Sequence, residues 1–493
     1  MNINFANYII ELNHSRAAKL AITDGIQSLT YGQLSYKIKQ VACGLIGMGI
    51  TPGQTIAICM DDCVDWPVAF LGSIYAGAVP VPVANNNPQE LFKEIINFVD
   101  CCALFASDVI IKRMNNFQVP MISKQQLNYW YDSMSTDTLP HLAHPDAPGY
   151  MGLSSGSTGH PKVAVFRHQT LFDIAETFPK ALYGMDSSSI MLSLAKMSWG
   201  YGLHNTITYT LSTGATAIVI PDRPSPTVVF QTINKYNPTI VAASPGVIKK
   251  LLGPASKKHT LPKSIKRVHS SGEILPDSLY NDFYKKFGIG ICSGIGQLEV
   301  ANSHYATTNG DVEQQGTVGK LLPGVKIKIV DNADQECPPG EIGEIYIHCK
   351  TIATYYLKDY NSTKNTFVGQ WVKTGDSGFI DLHNNLVVVG RVDDLFKVNN
   401  LIVSPANVEN EILKYPDIEH VAVVGIRNNM SVMETHAFIV TKNQFEMDKF
   451  KQFLHDRLPG HQVPKQLHVL SQLPETVTGK KNRKEMSLIA DVA

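Results

Sequence analysis

Short apolar runs alternate with longer amphipathic segments along most of the chain before residue 293. The apolar runs predict buried strands, and they cover residues 54–60, 103–106, 163–166, 190–194, 215–220, 240–243, 265–269 and 289–292. The amphipathic segments predict helices, and they cover residues 65–76, 89–99, 169–182, 225–236 and 245–252. Such alternation is typical of βαβ units, so we predict an α/β fold with buried parallel sheets.

Two regions depart from this alternation. Residues 108–147 are weakly patterned, and we expect them to lie on the surface. From Gly316 the pattern changes to alternating apolar and polar positions, which is typical of antiparallel strands. These strands are predicted at residues 319–330, 343–348, 371–374 and 386–389, with a turn at Pro338-Pro-Gly340. We therefore predict a small β-barrel or sheet at about 316–389, attached to the α/β body.

A smaller α+β segment follows Gly390-Arg-Val-Asp-Asp394. Its pattern predicts helices at residues 404–414 and 447–457 and strands at residues 420–424 and 435–440. A chain of 493 residues is too long for a single hydrophobic core. We therefore predict a large N-terminal domain at 1–389, a boundary at 390–394 and a small C-terminal domain at 395–493.

Charge is balanced over the chain, with 43 Lys and Arg residues against 43 Asp and Glu residues. Surfaces that bind nucleic acid or anionic membranes carry an excess of basic residues, so we expect no nucleic-acid partner. The longest uncharged run, residues 66–89, contains Pro67, Pro80 and Pro82 and is predicted to form a buried helix and strand. We therefore expect no membrane insertion.

The cysteine pattern and the N-terminus indicate a reducing compartment. The eight cysteines include no CxxC pair, which argues against a zinc or redox motif. Scattered cysteines in a chain of this size usually lie reduced in the core. Residues 1–16 lack a basic segment followed by an apolar one, so we expect no signal peptide and a cytoplasmic protein. The oligomeric state stays open, with a homodimer as one option.

The first candidate for chemistry is a Ser/Gly-rich segment between two apolar runs, Ser154-Ser-Gly-Ser-Thr-Gly-His-Pro-Lys162. Because Gly156 and Gly159 carry no Cβ, backbone N–H groups there can approach an anion closely. Hydroxyl donors and one mobile positive charge come from Ser154, Ser155, Ser157, Thr158 and Lys162. The composition predicts a polyphosphate-binding loop, although Pro161 stands where a Walker A loop needs glycine. A flexible surface turn is the alternative.

Two further small-residue segments follow predicted parallel strands, where open α/β sheets bind their ligands. They are Ser270-Ser-Gly-Glu273 and Ser293-Gly-Ile-Gly-Gln-Leu-Glu299, and we interpret both as turns. With polyphosphate nearby, the carboxylate of Glu299 is suited to hold Mg²⁺. A solvated or helix-capping glutamate is the alternative.

Three charged residues lie at the ends of later segments. Asp376 in Lys373-Thr-Gly-Asp376 is placed to bind a ribose diol, and Arg391 to bind phosphate or ribose. An Asx-turn and a surface ion pair are the alternatives. Lys480 follows a glycine in Pro474-Glu-Thr-Val-Thr-Gly-Lys480, and it could equally be an exposed lysine of a basic tail.

Taken in this order, these segments resemble the adenylate-forming superfamily of acyl-CoA synthetases, peptide-synthetase adenylation domains and luciferases. The resemblance runs from Leu29-Thr-Tyr-Gly-Gln-Leu34 to Lys480, and its most specific motifs are 154–162 and 390–394 with Val403-Ser-Pro405 downstream. Within the superfamily, Tyr201-Gly-Leu-His-Asn205 and 293–299 look most like benzoate-type aryl-CoA ligases.

The resemblance implies two half-reactions. A carboxylate attacks the α-phosphate of Mg·ATP to form acyl-AMP and pyrophosphate, and a thiol, usually of CoA, then takes the acyl group. It implies that Lys480, Glu299 and Thr158 are catalytic, with Thr158 and Glu299 on Mg²⁺. It implies ATP or AMP binding by Ser154, Ser155, Gly156, Ser157, Thr158, Gly159, Lys162, Ser271, Gly272, Glu273, Ser293, Gly294, Ile295, Asp376 and Arg391.

The resemblance also implies a mobile C-terminal domain. Asp393 matches the hinge about which that domain rotates between the two half-reactions. Lys397, Asn399 and Asn400 then line the thiol tunnel, where Asn399-Asn400 replaces the usual Ser-Gly. Asparagine tolerates left-handed backbone angles, but its side chain could narrow the path of a pantetheine arm. The residues therefore support adenylation better than transfer to CoA.

Two other positions depart from the family pattern. Val163 stands where the family usually has glycine, and Leu298 replaces the usual threonine before Glu299. The second change removes a hydroxyl expected to donate to the α-phosphate or to the substrate carboxylate. A hydrogen bond to a charged group contributes about 1.5–3 kcal/mol, so the change is expected to slow catalysis without preventing it.

The acyl pocket is predicted around Trp199, Tyr201, Gly202, His204 and Asn302. The segment 197–204 contains no acidic residue, and an unpaired buried ammonium would be costly. We therefore expect an aryl or short acyl carboxylic acid that is not an amino acid, although these aromatic residues could simply pack the core. Loading of a carrier-protein phosphopantetheine, or acyl-AMP binding with little turnover, are the alternative functions.

Overall fold

The computed structural model describes residues 2–114, 117–154, 162–221, 224–301, 303–331, 333–399, 401–428, 432–442, 445–474 and 481–492. The chain forms two compact units. The first consists of Met1–Leu275, Leu279–Lys326 and Ile347–Val372, and the second of Pro276–Ser278, Ile327–Tyr346 and Lys373–Ala493. The second unit therefore takes in strands before residue 390, and the hinge at 390–394 stays a prediction.

Sixteen α-helices lie within the described residues. In chain order they are α1 (Phe5–Leu12), α2 (Tyr31–Gly47), α3 (Asp65–Tyr75), α4 (Gln89–Phe98), α5 (Asp108–Arg113), α6 (Lys124–Ser133), α7 (His168–Tyr183), α8 (Gly200–Leu203), α9 (Thr210–Thr213), α10 (Pro226–Tyr236), α11 (Pro245–Leu252), α12 (Asp277–Phe287), α13 (Tyr360–Thr366), α14 (Pro405–Ile412), α15 (Met447–Arg457) and α16 (Arg483–Val492).

The strands of the first unit form three sheets, except for the last one, which pairs with the first residues of the strand that begins at Trp371. They are β1 (Leu20–Thr23), β2 (Ser28–Thr30), β3 (Thr55–Cys59), β4 (Val79–Pro82), β5 (Cys101–Ala106), β6 (Met121–Ile122), β7 (Pro148–Leu153), β8 (Val163–Arg167), β9 (Ile190–Ser193), β10 (Thr216–Ile218), β11 (Ile240–Ala243), β12 (Arg267–Ser270), β13 (Ile291–Gly296), β14 (His304–Thr307), β15 (Lys320–Leu321), β18 (Tyr355–Tyr356) and β19 (Phe367–Val368).

A nine-stranded sheet is the largest of these, with the order β15-β14-β13-β12-β11-β9-β10-β1-β2. Its strands from β13 to β1 run parallel, whereas β14 and β15 at one edge and β2 at the other are antiparallel. A second sheet, β4-β3-β5-β6, is parallel throughout. The predicted α/β fold with buried parallel sheets is thus confirmed.

Helix α3 explains why the first unit can hold a large core. Every residue from Asp65 to Tyr75 is buried, as expected for a helix that is apolar on all sides. It packs against α2, where a Cβ on Gly72 would lie only 2.6 Å from Cγ1 of Val41. The glycine therefore lets the two helices approach closely.

The surface position expected for residues 108–147 is wrong in part. Helix α6 begins after Ser123, whose hydroxyl accepts a hydrogen bond from the N–H of Gln126 at 3.1 Å. Its Leu127 and Trp130 are buried, and a Cβ on Gly44 would lie 2.4 Å from Cδ2 of Trp130. Apolar residues three positions apart lie on one face of a helix. The polar residues between them made the segment look weakly patterned in the sequence.

Nine strands of the described residues lie wholly or mainly in the second unit. They are β16 (Lys326–Val330), β17 (Gly343–His348), β20 (Trp371–Ile380), β21 (Leu386–Arg391), β22 (Phe396–Val398), β23 (Leu401–Val403), β24 (Ile418–Arg427), β25 (Met433–Thr441) and β26 (Gln466–Val469). Strands β16, β17 and β20 are neighbours in one sheet, where β21 also pairs with β20. Strands β22 and β23 form a hairpin, and β24-β25-β26 a separate sheet in which β25 and β26 are parallel.

None of the helices in the described part of the chain is both long enough and apolar enough to cross a membrane.

Candidate functional site

The Ser/Gly-rich segment joins two antiparallel strands, β7 and β8, which pair from Pro148↔Arg167 to Leu153↔Val163. At its ends, Ser154 N–H donates to the carbonyl of Lys162 at 2.9 Å, and Lys162 N–H donates to the hydroxyl of Ser154 at 2.8 Å. The two predicted ends of the loop are therefore fixed side by side. The predicted phosphate ligands Ser155, Gly156, Ser157, Thr158 and Gly159 lie outside the described residues, so their role stays a prediction.

Lys162 and Glu299 meet at the side chain of Tyr356. The Tyr356 hydroxyl donates a hydrogen bond to Oε1 of Glu299, and the Lys162 ammonium lies 4.8 Å from the centre of the Tyr356 ring. Tyr356 is 3 % exposed. Burial and the Glu299 charge raise the pKa of the Tyr356 hydroxyl, which therefore stays protonated as a donor. The structure thus brings together a cation and an anion that we assigned to the phosphates and to Mg²⁺.

Sequence reasoning missed Tyr356. It belongs to the short strand β18, which pairs with β8 through Tyr356↔Ala164 and Tyr355↔Val165. A tyrosine within an apolar run is most often a core residue, and no motif pointed to it. The pairing of β18 with the strand after the phosphate loop is a contact between distant segments that a single sequence does not reveal.

The Ser271–Glu273 turn follows β12 as predicted. Strand β12 ends at Ser270, and Gly272 has a φ of +94°, which favours glycine. Strand β13 runs parallel beside it, with Ser270 opposite Ser293. Of the residues predicted to line the adenine, Ser271 directly follows the end of β12 and Ser293 lies within β13 beside it, whereas Glu273 is exposed.

The turn predicted at Ser293–Glu299 is wrong. Strand β13 continues to Gly296, and Gly294 and Ile295 pair antiparallel with Thr307 and Ala306. A Cβ on Gly296 would lie 2.3 Å from the carbonyl of Ser303. The glycines therefore allow close strand pairing instead of forming a turn. Glu299 follows in a short 3₁₀ helix, Leu298–Val300.

In the second unit, Asp376 and Arg391 face each other across β20 and β21. An Nη1 of Arg391 lies 3.0 Å from Oδ1 of Asp376 and donates to the carbonyl of Thr374 at 2.9 Å. The structure therefore brings together the two residues assigned to the ribose. The same geometry is the surface ion pair that the sequence left open, and nucleotide binding by these residues stays a prediction.

The residues of the predicted acyl pocket differ in burial. Trp199 is 39 % exposed, whereas His204 is buried and begins a π-helical segment, His204–Tyr209. Gly202 lies so close to the backbone that a Cβ there would stand 2.1 Å from the carbonyl of Lys196. The Tyr201 hydroxyl is 2.9 Å from Nδ1 of His269. Asn302 lies outside the described residues.

Three buried histidines, His204, His269 and His304, lie in or next to the predicted acyl pocket, and all three are uncharged at neutral pH. His204 donates from Nε2 to the carbonyl of Ala301 at 2.6 Å, and burial lowers its pKa to about 4. The His269 and His304 rings meet edge to face at 4.7 Å. Burial lowers the pKa of His304 to about 3 and holds that of His269 well below its usual value. At neutral pH the cluster therefore adds polar groups without charge.

The residues assigned to the hinge and the thiol tunnel lie in the second unit. Asp393 is exposed in a 3₁₀ turn, Val392–Asp394. Lys397 and Asn399 lie on the hairpin of β22 and β23, and both are exposed. Asn399 has a φ of +51°, the left-handed conformation that asparagine tolerates. Asn400 lies outside the described residues, and the hinge and tunnel roles stay predictions.

Lys480 also lies outside the described residues, but the residues after it are anchored. Glu409 is 5 % exposed, and it forms ion pairs with Lys481 and, at 2.7 Å, with Nη2 of Arg483. Its Oε1 also accepts a hydrogen bond from the N–H of Val423 at 2.9 Å. A buried carboxylate therefore fixes the chain immediately after the predicted catalytic lysine.

Comparison with known proteins shows that the chain matches a family along most of its length. A model of the AMP-binding enzyme family matches residues 12–357, and a model of the AMP-binding enzyme C-terminal domain matches residues 407–480. The chain is 28 % identical over 490 residues to the benzoate–CoA ligase of Thauera aromatica, covering 95 % of this chain and 92 % of the relative. It is 27 % identical over 464 residues to the anthranilate–CoA ligase of Pseudomonas aeruginosa, covering 90 % of this chain and 88 % of that one.

Solved structures agree over the full length. A benzoate CoA ligase from Burkholderia xenovorans LB400 superposes with a TM-score of 0.88 at 29 % identity, covering 98 % of this chain and 100 % of that chain. The anthranilate CoA ligase AuaEII, solved with anthranoyl-AMP, gives a TM-score of 0.92 at 25 % identity, covering 100 % and 98 %. Since the first family model alone spans more than half of the chain, this protein belongs to the family of AMP-binding enzymes.

Proposed function

We propose that this protein is an AMP-forming acid–thiol ligase for an aryl or short acyl carboxylic acid that is not an amino acid. The observation that carries the proposal is that the similarity to aryl-CoA ligases spans both family regions and nearly all of each chain. The meeting of Lys162 and Glu299 at Tyr356 supports it, because a phosphate-binding cation and a metal-binding carboxylate are required side by side.

The reaction proceeds in two steps. A substrate carboxylate oxygen attacks the α-phosphorus of ATP, the bond to the β-phosphate breaks, and acyl-AMP and pyrophosphate form. The sulfur of a thiol then attacks the acyl carbon, the bond to AMP breaks, and a thioester and AMP are released with loss of the thiol proton. Two anions must approach in the first step, so cations near the phosphates lower its barrier.

Individual residues receive the following roles in the proposal. The loop from Ser154 to Lys162 holds the phosphates that leave, and Lys480 places its charge between the carboxylate and the α-phosphate. Asp376 and Arg391 bind the ribose, with their mutual ion pair orienting both side chains. Asp393 is the hinge between the two steps.

Magnesium fits the donors that the described residues offer. Mg²⁺ is usually bound by one or two carboxylates together with substrate phosphates and water, and the half-buried carboxylate of Glu299 is a hard oxygen donor of this kind. Thr158 would add a hydroxyl. When bound, Mg²⁺ neutralises charge on the leaving pyrophosphate.

The acid is proposed from the pocket. Tyr201 and the uncharged His204 and His269 provide aromatic and polar surface but no carboxylate that could pair with a substrate ammonium at the α-carbon. An aromatic or short apolar acid is therefore favoured. The anthranilate–CoA ligase named above indicates that an amino group on an aromatic ring is compatible with this type of enzyme.

The test is ATP–pyrophosphate exchange with the full-length protein and a panel of benzoates, hydroxybenzoates, aminobenzoates, short aliphatic acids and amino acids. Exchange with aromatic or short acids but not with α-amino acids is the expected result. ATP binding without exchange for any acid would favour the alternative of an acyl-AMP-binding protein with little turnover.

The acyl acceptor needs its own measurement. CoA is the proposed acceptor, and a carrier-protein phosphopantetheine is the runner-up because Asn399 and Asn400 replace the usual Ser-Gly of the thiol tunnel. Mass spectrometry of products formed from the accepted acid with CoA, and in parallel with a holo-carrier protein, distinguishes the two. Acyl-CoA as the main product supports the proposal, whereas acylation of the carrier alone contradicts it.

A further inference from the structure

We propose that Tyr356 is a positioning residue that orients the Glu299 carboxylate toward a divalent cation and the Lys162 ammonium toward the nucleotide phosphates. The inference rests on the proposed function, because it assumes that Glu299 faces the metal of a bound Mg·ATP. It assigns a role to a residue that lies outside the sequence motifs named above, although within the matched family region.

The first part of the argument is the hydrogen bond to Glu299. The Tyr356 hydroxyl donates to Oε1 of Glu299, and among the described residues no side chain or backbone group donates to Oε2. One oxygen is thus held by the protein while the other stays available to a ligand. A carboxylate held in this way is already oriented to bind a cation. Side chains that bind metals are commonly oriented by such a hydrogen-bonded partner.

The second part is the contact with Lys162. Its ammonium lies 4.8 Å from the centre of the Tyr356 ring, within the range of a cation–π interaction. The ring therefore attracts the ammonium but leaves its positive charge in place. A carboxylate partner, in contrast, would neutralise that charge. A lysine held in this way remains able to pair with phosphate.

The third part is the rigidity of Tyr356 itself. Its backbone N–H donates to the Thr363 hydroxyl at 2.9 Å, and Leu357 N–H donates to the carbonyl of Val163 at 2.8 Å. Ala353 N–H donates to the carbonyl of Glu299, also at 2.8 Å. The same short segment is therefore tied both to the strand after the phosphate loop and to the backbone of Glu299. One side chain can then fix the distance between the two charged groups.

Tyr356→Phe separates this role from a purely structural one, because the variant keeps the ring and removes only the hydroxyl. The measurement is the affinity for radiolabelled ATP by equilibrium dialysis, without any acid, in excess Mg²⁺ and in EDTA. We expect the gain in affinity that Mg²⁺ provides to fall by roughly tenfold, while ATP binding in EDTA stays unchanged. The apparent Mg²⁺ requirement of pyrophosphate exchange should rise in parallel.

Tyr355→Phe is the matched control, since Tyr355 is the neighbouring tyrosine of the same strand and is 37 % exposed. It should leave the Mg²⁺ effect as in the unmodified protein. An unchanged Mg²⁺ effect in Tyr356→Phe, or an equal fall in Tyr355→Phe, would overturn the proposal.

Two further variants keep the test decisive if Tyr356→Phe folds poorly. Glu299→Asp shortens the carboxylate away from the fixed hydroxyl and should lose the Mg²⁺ effect to a similar extent with Tyr356 intact. Tyr356→Leu removes the ring as well and should also weaken ATP binding in EDTA, because Lys162 loses its support. Retention of the full Mg²⁺ effect in Glu299→Asp would contradict the proposal.

Failure of this inference is distinguishable from failure of the proposed function. If the unmodified protein shows Mg²⁺-dependent ATP binding but exchanges pyrophosphate with no acid, the ligase assignment fails while the role of Tyr356 can still be measured. If exchange occurs and the Tyr356→Phe variant has the same Mg²⁺ dependence as the unmodified protein, only the role of Tyr356 fails.

Discussion

Leu298 lies directly before the carboxylate of Glu299 and is 7 % exposed. A Cβ on Gly152 would stand 2.8 Å from Cδ1 of Leu298, so the leucine packs closely against the strand that leads into the phosphate loop. The resemblance described above implies a threonine, and therefore a hydroxyl, at this position. Compared with a threonine, Leu298 buries more apolar surface and provides no hydrogen-bond donor. Both differences lie next to Glu299 and therefore affect the site.

Leu298→Thr should raise the rate of adenylation and lower the stability of the protein. A hydrogen bond to a charged group contributes about 1.5–3 kcal/mol, so we expect kcat of pyrophosphate exchange to rise by about tenfold. The smaller side chain leaves part of the packing unfilled, which costs about 1 kcal/mol or more. Exchange kinetics and urea unfolding measure the two effects on the same preparation.

Leu298→Val is the control, because valine has the shape of threonine without the hydroxyl. It should lose stability to a similar extent and gain no activity. Equal rates for the threonine and valine variants would mean that no hydroxyl acts at this position.

Val163, the other departure near the loop, has a simpler explanation. It lies in the regular strand β8, pairs with Leu153 and is 1 % exposed. Since no left-handed backbone conformation is needed there, a β-branched residue is suited to the position. The departure therefore adds to the core and requires no compensation in the site.

At the scale of elements, much of the fold could be predicted because its periodicity is local. Residues 240–243, 343–348, 245–252 and 447–457 were predicted with the bounds that the structure has. Predictions failed where a contact between distant segments decided the outcome. Gly294 and Gly296 predict a turn by composition, but pairing with β14 makes them part of a strand.

The same distinction applies to the candidate site. Lys162, Glu299, Asp376 and Arg391 could be proposed from the sequence because each is a charged residue in or next to a glycine-containing segment. Tyr356 could not be proposed in this way, since the role inferred for it depends on the partner of its hydroxyl.

The segment after Lys480 shows how an element can hold a loop in place. Glu409 on α14 is buried, whereas its partners Lys481 and Arg483 have side chains that are 40 % and 22 % exposed. Arg483 also lies 3.6 Å from Oδ2 of Asp394, next to the predicted hinge. The two cations are therefore tied to helix α14 and to the segment that precedes β22.

Removing the cations should cost more than removing the anion. Lys481→Met with Arg483→Met leaves a buried carboxylate without compensation, which costs about 3–5 kcal/mol. Glu409→Gln keeps a polar side chain that can still accept from the N–H of Val423, and its cations can turn to water, so about 1–3 kcal/mol is expected. Hydrogen exchange of β24 in the full-length protein, read by mass spectrometry, measures both, and the reverse order of effects would contradict this assignment.

At the scale of the whole molecule, several buried histidines are held uncharged by their surroundings. Burial lowers the pKa of His168 and of His204 to about 4 and that of His304 to about 3, and it holds the pKa of His269 well below its usual value. Asp62 opposes them, because burial raises its pKa to about 6. The balance between these groups decides how stability depends on pH.

The protein should lose stability as the pH falls from about 6.5 toward 5. An unfolded histidine titrates near 6.5, so below that pH the unfolded state takes up protons that the native histidines, with pKa values of about 4 or lower, do not bind. Each such histidine lowers the free energy of unfolding by roughly 1–2 kcal/mol at pH 5. Native Asp62 keeps its proton between about pH 4 and 6 and therefore offsets about one histidine.

Urea unfolding at pH 7.5, 6.5, 5.5 and 5.0 should show a net loss of several kcal/mol in the free energy of unfolding. His304→Phe should reduce that loss by the share of one histidine, because it removes a titrating group whose ring nitrogens have no hydrogen-bond partner among the described residues. A free energy of unfolding that is constant across this range would show that these rings can be protonated in the native state.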